Sequence, residues 1–482
     1  MINVRTLLLS VALAGQLVPV AKAETTTVIR LTGSSTIGEK LAAGLAIDYA
    51  RQLNLPASRT VTSTDPNEYE ILSTGAEGVR PLRTHIDAHD TPSGLRKLLA
   101  GEADIWMASR QAKQSDLDDV RKRAGSGATN GPTLDQLLSK GWEHVIALDA
   151  IVAAVHPRNQ VKSLTLGQLR DIFTGKARNW SVFGGADLPI TPFSASLNSG
   201  SFDVFCGQIM GIAEIADCQK ITQPVIRKIL ASNEELADEI STNSGAIGIV
   251  GLSGLRNARA IGIGTECGTV VMPSGFAVKT EEYPLTHRLF LYAPPTASPD
   301  VTRFLDYVKS DAAQSAVEAA GFVNFRVALP PDSYTGSRLD AAGDAQEGGR
   351  TRVRPSDVHA FEDATQRASR LPITFRFQPG SDDLDSRAQD DLHRLASLMQ
   401  IAPYNKMEVV LIGFTQAQGD YVANRDVSRM RAQVIRDSLA AAFSLNPALT
   451  VGVGPAAPVA CNLDANARFM NQRVEAWVRP LK

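Results

Sequence analysis

After its first two dozen residues the sequence has no long apolar run, and it is poor in cysteine. No later stretch reaches the roughly 18 to 20 continuous apolar residues of a membrane-spanning helix. Only 4 of the 482 residues are cysteine, and no CxxC or Cys/His spacing of a zinc site is present. Sequences of the GxSxG, HExxH and Walker types are also absent. The sequence therefore gives no support to a later membrane span, a zinc site or a common hydrolase centre.

An excess of positive charge is missing too. The chain has 49 lysines and arginines against 51 aspartates and glutamates, a formal net charge of −2. This balance argues against general nucleic-acid binding, so an anionic ligand has to be held by local dipoles and a few placed cations. We therefore predict neither a nucleic-acid partner nor a cofactor.

The residues that are present form an α/β pattern in two parts. A length of 482 residues predicts two or three domains. From about residue 28 to 327, short β-rich runs alternate with amphipathic helical stretches. The segment 330–365 begins with a polar stretch nearly free of apolar residues, and we predict a linker there. The predicted domains are 24–329 and 366–482.

The first 23 residues have the pattern of a secretory signal peptide. Arg5 precedes an apolar run at 7–14, and Ala21-Lys22-Ala23 is a small-x-small cleavage site. The next residue is Glu24 rather than cysteine, so no lipid anchor is indicated. We expect an exported protein.

Export makes disulfides an option for the four cysteines. Cys206 and Cys218 flank one helix-like stretch and are the favoured pair. Pairing of Cys267 with Cys461 would tie the two ends of the protein together, and buried free thiols are the alternative.

Three short elements of hydroxyl residues and glycine each precede a helical stretch: Gly33-Ser34-Ser35-Thr36, Ser93-Gly94 and Ser199-Gly200-Ser201. The first turn of a helix leaves about four N–H groups unpaired and carries roughly half a positive charge. Ser and Thr add donors, and Gly lets the backbone approach a ligand. Three such termini predict a cage for a small oxyanion; the alternative is three ordinary helix N-caps.

A metal or catalytic site is a weaker hypothesis. Alternation along a strand would place His85, Asp87 and His89 on one face, as metal ligands require. The same alternation describes the wet face of an ordinary strand, and we predict no metal here.

The first domain resembles the PstS-like phosphate-binding receptors of the type II periplasmic binding-protein fold. The first and third hydroxyl elements carry this resemblance together with Ser93-Gly94-Leu95, the run GEADIWMASR at 101–110, LTLGQLRDIFTG at 164–175 and Asn179-Trp180. It implies two lobes that close on one tetrahedral oxyanion. The implied contacts are Ser35, Thr36, Ser93, Gly94, Arg110, Ser199, Gly200 and Ser201. For Arg110 the alternative is a surface or inter-lobe salt bridge.

One position departs from that family. Its phosphate receptors usually have an arginine four residues before Ser-Gly-Thr, and Ala195 stands there instead. Loss of a charge-assisted hydrogen bond worth roughly 1.5–3 kcal/mol would weaken anion binding about tenfold to a hundredfold. Phosphate is the favoured ligand, with sulfate, another oxyanion or a phosphorylated metabolite as alternatives.

The second domain shows a βαβαββ order of predicted elements and resembles the OmpA-like peptidoglycan-associating domain, an α/β sandwich. The resemblance is carried by Phe375-Arg376-Phe377, Gly413-Phe414-Thr415, the run NRDVSRMRAQV at 424–434 and NQRVE at 471–475. Members of this family bind the free carboxylate end of diaminopimelate through an aspartate and an arginine. Arg431 fits the arginine position, whereas the aspartate position is Gln416.

The implied peptidoglycan-binding residues are Gln416, Asn424, Arg431, Asn471 and Arg473. The alternative for the two asparagines and Arg473 is support of turns and helix caps. On the same helix as Arg431, the residues Val427, Met430, Val434 and Leu439 are predicted to lie in the core.

Together these patterns predict a periplasmic receptor for phosphate or a similar oxyanion, held at the cell wall or outer membrane, with an ABC permease as an implied partner and no catalytic activity. The alternative is an envelope structural or interaction protein whose receptor domain no longer binds phosphate tightly. A hydrolase is a third, less favoured hypothesis.

Overall fold

A computed structural model describes residues 26–124, 131–197, 200–265, 268–328, 354–378, 380–445, 447, 449–462 and 465–481. The predicted signal peptide and most of the predicted linker lie outside these ranges, as do Ser199 and Cys267. Among the residues described, no helix combines the length and apolar character needed to span a membrane.

The N-terminal domain alternates strands and helices along the chain, as predicted. In chain order they are β1 (Thr27–Gly33), α1 (Ser35–Ile37), α2 (Ala43–Gln52), β2 (Ala57–Thr62), β3 (Glu68–Thr74), β4 (Leu82–Asp87), α3 (Thr91–Leu99), β5 (Ile105–Ala108), α4 (Gln114–Ala124), α5 (Leu134–Leu137), β6 (Glu143–Val155), β7 (Ser163–Thr165), α6 (Leu166–Phe173), β8 (Thr191–Ser194), α7 (Gly200–Val204), α8 (Ile215–Thr222), β9 (Lys228–Ile229), α9 (Asn233–Thr242), β10 (Ala246–Gly251), β11 (Arg259–Ala260), β12 (Gly262–Gly264), β13 (Val270–Val271), α10 (Gly275–Lys279), β14 (Thr286–Tyr292), α11 (Pro299–Lys309) and α12 (Gln314–Ala319).

One long strand joins two lobes. The main sheet has the order β2-β3-β4-β1-β5-β14-β6-β10-β8-β9. The first part of β6 pairs with β14 in lobe one, up to Ala150 opposite Thr286. From Ile151 onward it pairs with β10 in lobe two. The chain returns from α10 to β14 through residues 280–285, so β6 and this segment are two crossovers between the lobes.

Apolar residues that recur every four positions after Thr36 form a buried stripe along one continuous helical stretch. Ile37, Leu41, Leu45 and Tyr49 all lie in the core of lobe one, whereas Leu53 follows the end of α2 and is 37% exposed. A π-helical turn, Gly38–Ala42, lies between α1 and α2.

The C-terminal domain confirms the predicted βαβαββ order and adds two helices. Its elements are α13 (Pro355–Thr365), β15 (Ser369–Phe375), α14 (Ser386–Leu398), β16 (Met407–Phe414), α15 (Tyr421–Phe443), β17 (Leu449–Gly452), α16 (Ala465–Asn471) and β18 (Arg473–Pro480). The four strands form one sheet in the order β15-β18-β16-β17.

Helix α13 lies inside the segment predicted as a linker, and that part of the prediction is wrong. Phe361 of α13 is fully buried and packs edge-to-face against Phe414 and Trp477. Burial of a phenylalanine stabilises a fold by about 1.5–3 kcal/mol, so α13 belongs to the C-terminal domain.

Two predicted core positions of α15 are also wrong. Leu439 is fully buried, but Met430 is 49% exposed and Val434 is 36% exposed. The buried stripe of α15 consists instead of Ser428, Ala432, Ile435 and Leu439, a spacing of three or four residues.

The favoured disulfide is present. Cys206 and Cys218 are bonded across the π-helical turn Phe205–Met210 and the start of α8. Cys461 is also disulfide-bonded, and no free cysteine occurs among the described residues. Free thiols are thus excluded for these three cysteines.

Candidate functional site

A cleft of about 480 Å³ lies between the two lobes. Its walls come from the first turn of α1, from α7, and from the start of α9, with β6 at its base. Three predicted anion contacts, Ser35, Thr36 and Ser201, line this cleft together.

The first hydroxyl element is placed by a tight approach of strand β1 to β5. Gly33 has φ +127°, and a Cβ there would lie 2.2 Å from the carbonyl oxygen of Met107. The Ser34 N–H donates to that same oxygen at 2.9 Å. The chain therefore turns directly from β1 into α1, which directs Ser35 and Thr36 into the cleft.

The second element does not line the cleft: neither Ser93 nor Gly94 is among its lining residues. Helix α3 begins two residues earlier than expected and is capped by Asp90, whose carboxylate accepts the Ser93 N–H at 2.7 Å. The Ser93 hydroxyl donates to the carbonyl of Asp90 at 2.9 Å. A Cβ at Gly94 would lie 2.3 Å from the Trp106 ring, so this glycine permits close packing of α3 on the sheet.

The third element is described in part. Ser199 lies outside the described residues, Gly200 begins α7, and Ser201 lines the cleft. Ala195 also lines the cleft and is only 7% exposed. Position 195 therefore presents a methyl group to the cleft.

Arg110 is held away from this cleft by a bidentate salt bridge. Its two terminal nitrogens lie 2.8 and 2.7 Å from the carboxylate oxygens of Asp116. Burial lowers the pKa of Arg110, but the hydrogen bonds to Asp116 raise it overall. Arg110 lines an adjoining groove that shares Ser35 and Thr36 with the cleft, and its salt bridge to Asp116 lies within lobe one.

The cleft has mixed charge. Its acidic lining residues are Glu39, Asp149 and Glu234, and its basic ones are Lys40 and His89. The Lys40 ammonium of lobe one lies 3.4 Å from the Glu234 carboxylate of lobe two, so this ion pair spans the cleft.

Both ring nitrogens of His89 contact carboxylates. Its Nδ1 contacts Asp87 and its Nε2 lies 3.0 Å from Asp65. The hydrogen bond to Asp87 raises the pKa of His89. His85 lies 3.7 Å from Glu70 instead, so His85, Asp87 and His89 do not converge on one point.

A buried pair forms the base of the cleft. Asp149 of β6 lines the cleft, and its carboxylate lies 3.5 Å from Nε2 of His287 on β14. Burial raises the pKa of the Asp149 carboxyl and lowers that of His287. Both effects favour the uncharged forms.

In the C-terminal domain, Arg431 is fixed by its neighbours. Its guanidinium lies over the ring of Phe377 at 4.9 Å, and Nη1 donates to Gln472 at 3.3 Å. Gln416 is half-buried in the loop after β16, and Asn424 donates to the carbonyl of Gln418 at 2.7 Å. These three residues lie near the N-terminal half of α15.

Asn471 and Arg473 have structural partners and are fully buried, which corrects their predicted role in binding. The side-chain oxygen of Asn471 accepts the backbone N–H groups of Val459 and Ala460. Arg473 pairs with Glu475 at 2.8 Å and lies 4.0 Å from the Phe414 ring. Sequence alone did not distinguish these structural contacts from ligand contacts.

Comparisons with known proteins find two separate family matches in this chain. The profile of a PBP superfamily domain matches residues 20–312, and that of the OmpA family matches residues 376–472. The phosphate-binding protein PstS of Staphylococcus epidermidis is 28% identical over 260 residues, which cover 52% of this chain and 71% of that protein.

Two solved structures are similar to parts of this chain. An ABC-type phosphate transport receptor from Vibrio cholerae aligns over 62% of this chain and 99% of its own, with 19% identity and a TM-score of 0.46. The cell wall anchor of the T6SS from Pseudomonas aeruginosa aligns over 27% of this chain and 100% of its own, with 26% identity and a TM-score of 0.20.

Proposed function

The chain belongs to the PBP superfamily and carries a C-terminal OmpA family domain, and we propose that it is an exported receptor for phosphate or a similar small oxyanion. The observation that carries this proposal is the convergence of Ser35, Thr36 and Ser201 in one inter-lobe cleft. The relatives described as phosphate-binding proteins support the same ligand class.

The proposed mechanism is closure of the lobes on the ligand, without chemistry. Hydroxyl groups and the first turns of α1 and α7 would donate hydrogen bonds to the oxyanion. Lobe two would approach lobe one by rotation about β6 and residues 280–285, and the ligand would stabilise the closed form.

Association with the cell wall is the second part of the proposal. Arg431 would pair with a peptidoglycan carboxylate, because its planar guanidinium suits bidentate binding. The expected location is the periplasm, at the peptidoglycan or outer membrane, after cleavage of residues 1–23. An ABC permease is a proposed partner for delivery of the ligand.

A second candidate function is an envelope structural or interaction protein whose cleft has lost tight anion binding. Ala195 supplies no charge to the cleft, and Gln416 supplies none to the wall site. The carboxylates of Glu39 and Glu234, which line the cleft, also disfavour an anion. This alternative predicts no response to any oxyanion.

Calorimetric titration of the full chain with phosphate, arsenate and sulfate distinguishes the two. The receptor proposal expects saturable binding at one site, weakened at least tenfold in Thr36→Val. Ser93→Ala is the matched control, since Ser93 lies outside the cleft, and should bind like the parent protein. Absence of heat and of any melting shift with all three anions would refute the receptor function.

A further inference from the structure

The C-terminal domain packs on one of the two crossovers between the lobes. The crossover, residues 280–285, connects α10 of lobe two to β14 of lobe one. Three arginines of the C-terminal domain, Arg370, Arg376 and Arg387, reach this segment. All three side chains are at most 2% exposed, so the contact is a buried interface.

Glu281 is the centre of this contact, which we call the hinge clamp: Glu281 with Arg288, Arg376 and Arg387. The Glu281 carboxylate lies 3.1 Å from Arg376 and 2.9 Å from Arg387. Arg288 of β14 binds it at 2.5 and 2.9 Å. Glu281 has φ +56°, a left-handed conformation that a non-glycine residue keeps only where its surroundings enforce it.

The same domain also binds the lobe-two side of the crossover. Arg387 donates to the backbone carbonyl of Lys279 at 2.5 Å, the last residue of α10. The guanidinium of Arg370 lies 5.3 Å from the ring centroid of Phe276 in α10, and Arg370 pairs with Glu282 at 2.5 Å.

Further contacts bind lobe one. Asp385, which caps α14, pairs with Arg288 at 2.9 Å. The hydroxyl of Ser386 donates to Glu143, the first residue of β6. The C-terminal domain thus contacts both lobes and the segment that must change its backbone angles when they move.

A polar chain leads from this interface to the groove beside the cleft. Glu143 accepts hydrogen bonds from Gln111 at 3.0 Å and from the hydroxyl of Tyr292 at 2.8 Å. Gln111 follows Arg110, which lies in the groove beside Thr36. On the neighbouring strands, Asp149 lines the cleft while His287 lines a groove of about 540 Å³ between the domains.

We propose that docking of the C-terminal domain and closure of the lobes are energetically coupled, with the hinge clamp favouring the closed form. The Lys40–Glu234 pair spans the cleft in the clamped structure, which places this arrangement towards closure. Contacts to α10 and to β14 cannot all persist when the two lobes rotate apart, so they bias the equilibrium between the forms. Coupling is reciprocal, so ligand binding would also tighten docking.

The test compares the parent full chain with Glu281→Gln and with a matched control, Glu318→Gln, which removes an equally charged but exposed partner of Arg326. Inorganic phosphate is the titrant. We expect Glu281→Gln to weaken phosphate binding at least fivefold, which is the lower end of typical allosteric coupling, and Glu318→Gln to leave it unchanged. Parent-like affinity in folded Glu281→Gln would overturn the proposal.

Hydrogen–deuterium exchange of the same proteins tests the coupling independently of ligand binding. This matters because the use of phosphate as the titrant rests on the proposed receptor function. Glu281→Gln should speed exchange both at residues 280–286 and at the second crossover, residues 149–152. Acceleration confined to 280–286 would overturn coupling, whether or not phosphate binds. If phosphate binds to none of these proteins, the proposed receptor function is refuted. The exchange measurement alone then decides whether docking and lobe closure are coupled. If Glu281→Gln does not fold, Ser386→Ala on the lobe-one side of the interface replaces it, with the same outcomes.

Discussion

The side chain at position 195 is a methyl group and contributes no positive charge to the cleft. Ala195 lines the cleft beside Ser201, and the only cations among its described lining residues are Lys40 and His89. Lys40 contacts Glu234, and both ring nitrogens of His89 face carboxylates. Most of the attraction for an oxyanion must therefore come from hydroxyl groups and helix termini.

An arginine at this position should restore affinity. Ala195→Arg is expected to tighten phosphate binding about tenfold to a hundredfold, since a charge-assisted hydrogen bond contributes about 1.5–3 kcal/mol. Calorimetry of both proteins measures the change. Ala213→Arg, which adds the same charge at the adjoining groove, should have a much smaller effect; equal gains would show that general charge, not position, is responsible.

His144 should make stability depend on pH. Burial lowers its pKa to about 4, whereas the unfolded chain takes up the proton near 6.5. The unfolded state therefore binds more protons between these values, and the free energy of unfolding should fall by about 2–3 kcal/mol as pH drops from 6.5 to 4.

Chemical denaturation at a series of pH values checks this expectation. His144→Gln should reduce the loss of stability over that range, because the replaced side chain cannot take up a proton. His359→Gln is the control, since His359 is 72% exposed, and it should retain the parent slope. The same slope in His144→Gln would contradict the assignment.

Single-residue roles were only partly predictable from the sequence. Ser35, Thr36 and Ser201 lie in the cleft as predicted, because each follows a strand or loop that ends at the lobe interface. The sequence does not show whether Asn471 and Arg473 bind a ligand or support the fold. Buried hydrogen-bonding side chains and ligand contacts require the same residue types. Only the positions of their partners separate the two roles.

At the scale of elements, the first residue of α3 differs from the predicted one because a different side chain caps the helix. Asp90 provides the cap, so a carboxylate already accepts from the N–H group of Ser93. The sequence predicts that α3 begins at Ser93-Gly94, because serine is also a good N-cap residue. The Asp-Thr-Pro order at 90–92 is the signal for the earlier start, since proline favours the first helical turn.

Gly94 should be required for packing of α3 rather than for binding. In Gly94→Ala the new Cβ would lie 2.3 Å from Trp106 and 2.8 Å from the carbonyl of Thr32. We expect a loss of about 1–3 kcal/mol in the free energy of unfolding from such overpacking. Gly275→Ala, where nothing lies within 4 Å, should be nearly neutral in the same denaturation experiment. A neutral Gly94→Ala would contradict this packing.

Most elements of the C-terminal domain were predictable because their apolar periodicity is strong. The strand at 407–414 and the helix at 421–443 are the second strand and the second helix of the predicted βαβαββ order. Helix α13 was missed because its polar surface and its position after a polar segment are also typical of a linker. Its one fully buried aromatic residue, Phe361, binds it to the sheet.

At the scale of the whole molecule, two domains share a buried ionic interface that no sequence pattern indicated. Glu281 lies more than 90 residues before both Arg376 and Arg387. Each of the three alone is typical of a charged surface residue. Buried ion pairs are costly to break, because a lost partner leaves a charge without compensation. The mutual placement of the domains should therefore be well defined.

Retention on the cell wall should depend on Arg431. Arg431→Ala is expected to reduce sedimentation of the intact protein with purified peptidoglycan at least several-fold, because removal of a charged binding partner costs about 1.5–3 kcal/mol. Arg429→Ala, an exposed arginine on the same helix, should be retained like the parent. Equal retention of both variants would remove Arg431 from the wall site.

A crystal structure of the full chain grown with phosphate would show directly where the anion binds. We predict phosphate in the inter-lobe cleft, with its oxygens about 2.7–3.2 Å from the hydroxyls of Thr36 and Ser201. Phosphate bound only beside Arg110 in the adjoining groove, or an empty cleft at saturating phosphate, would contradict it.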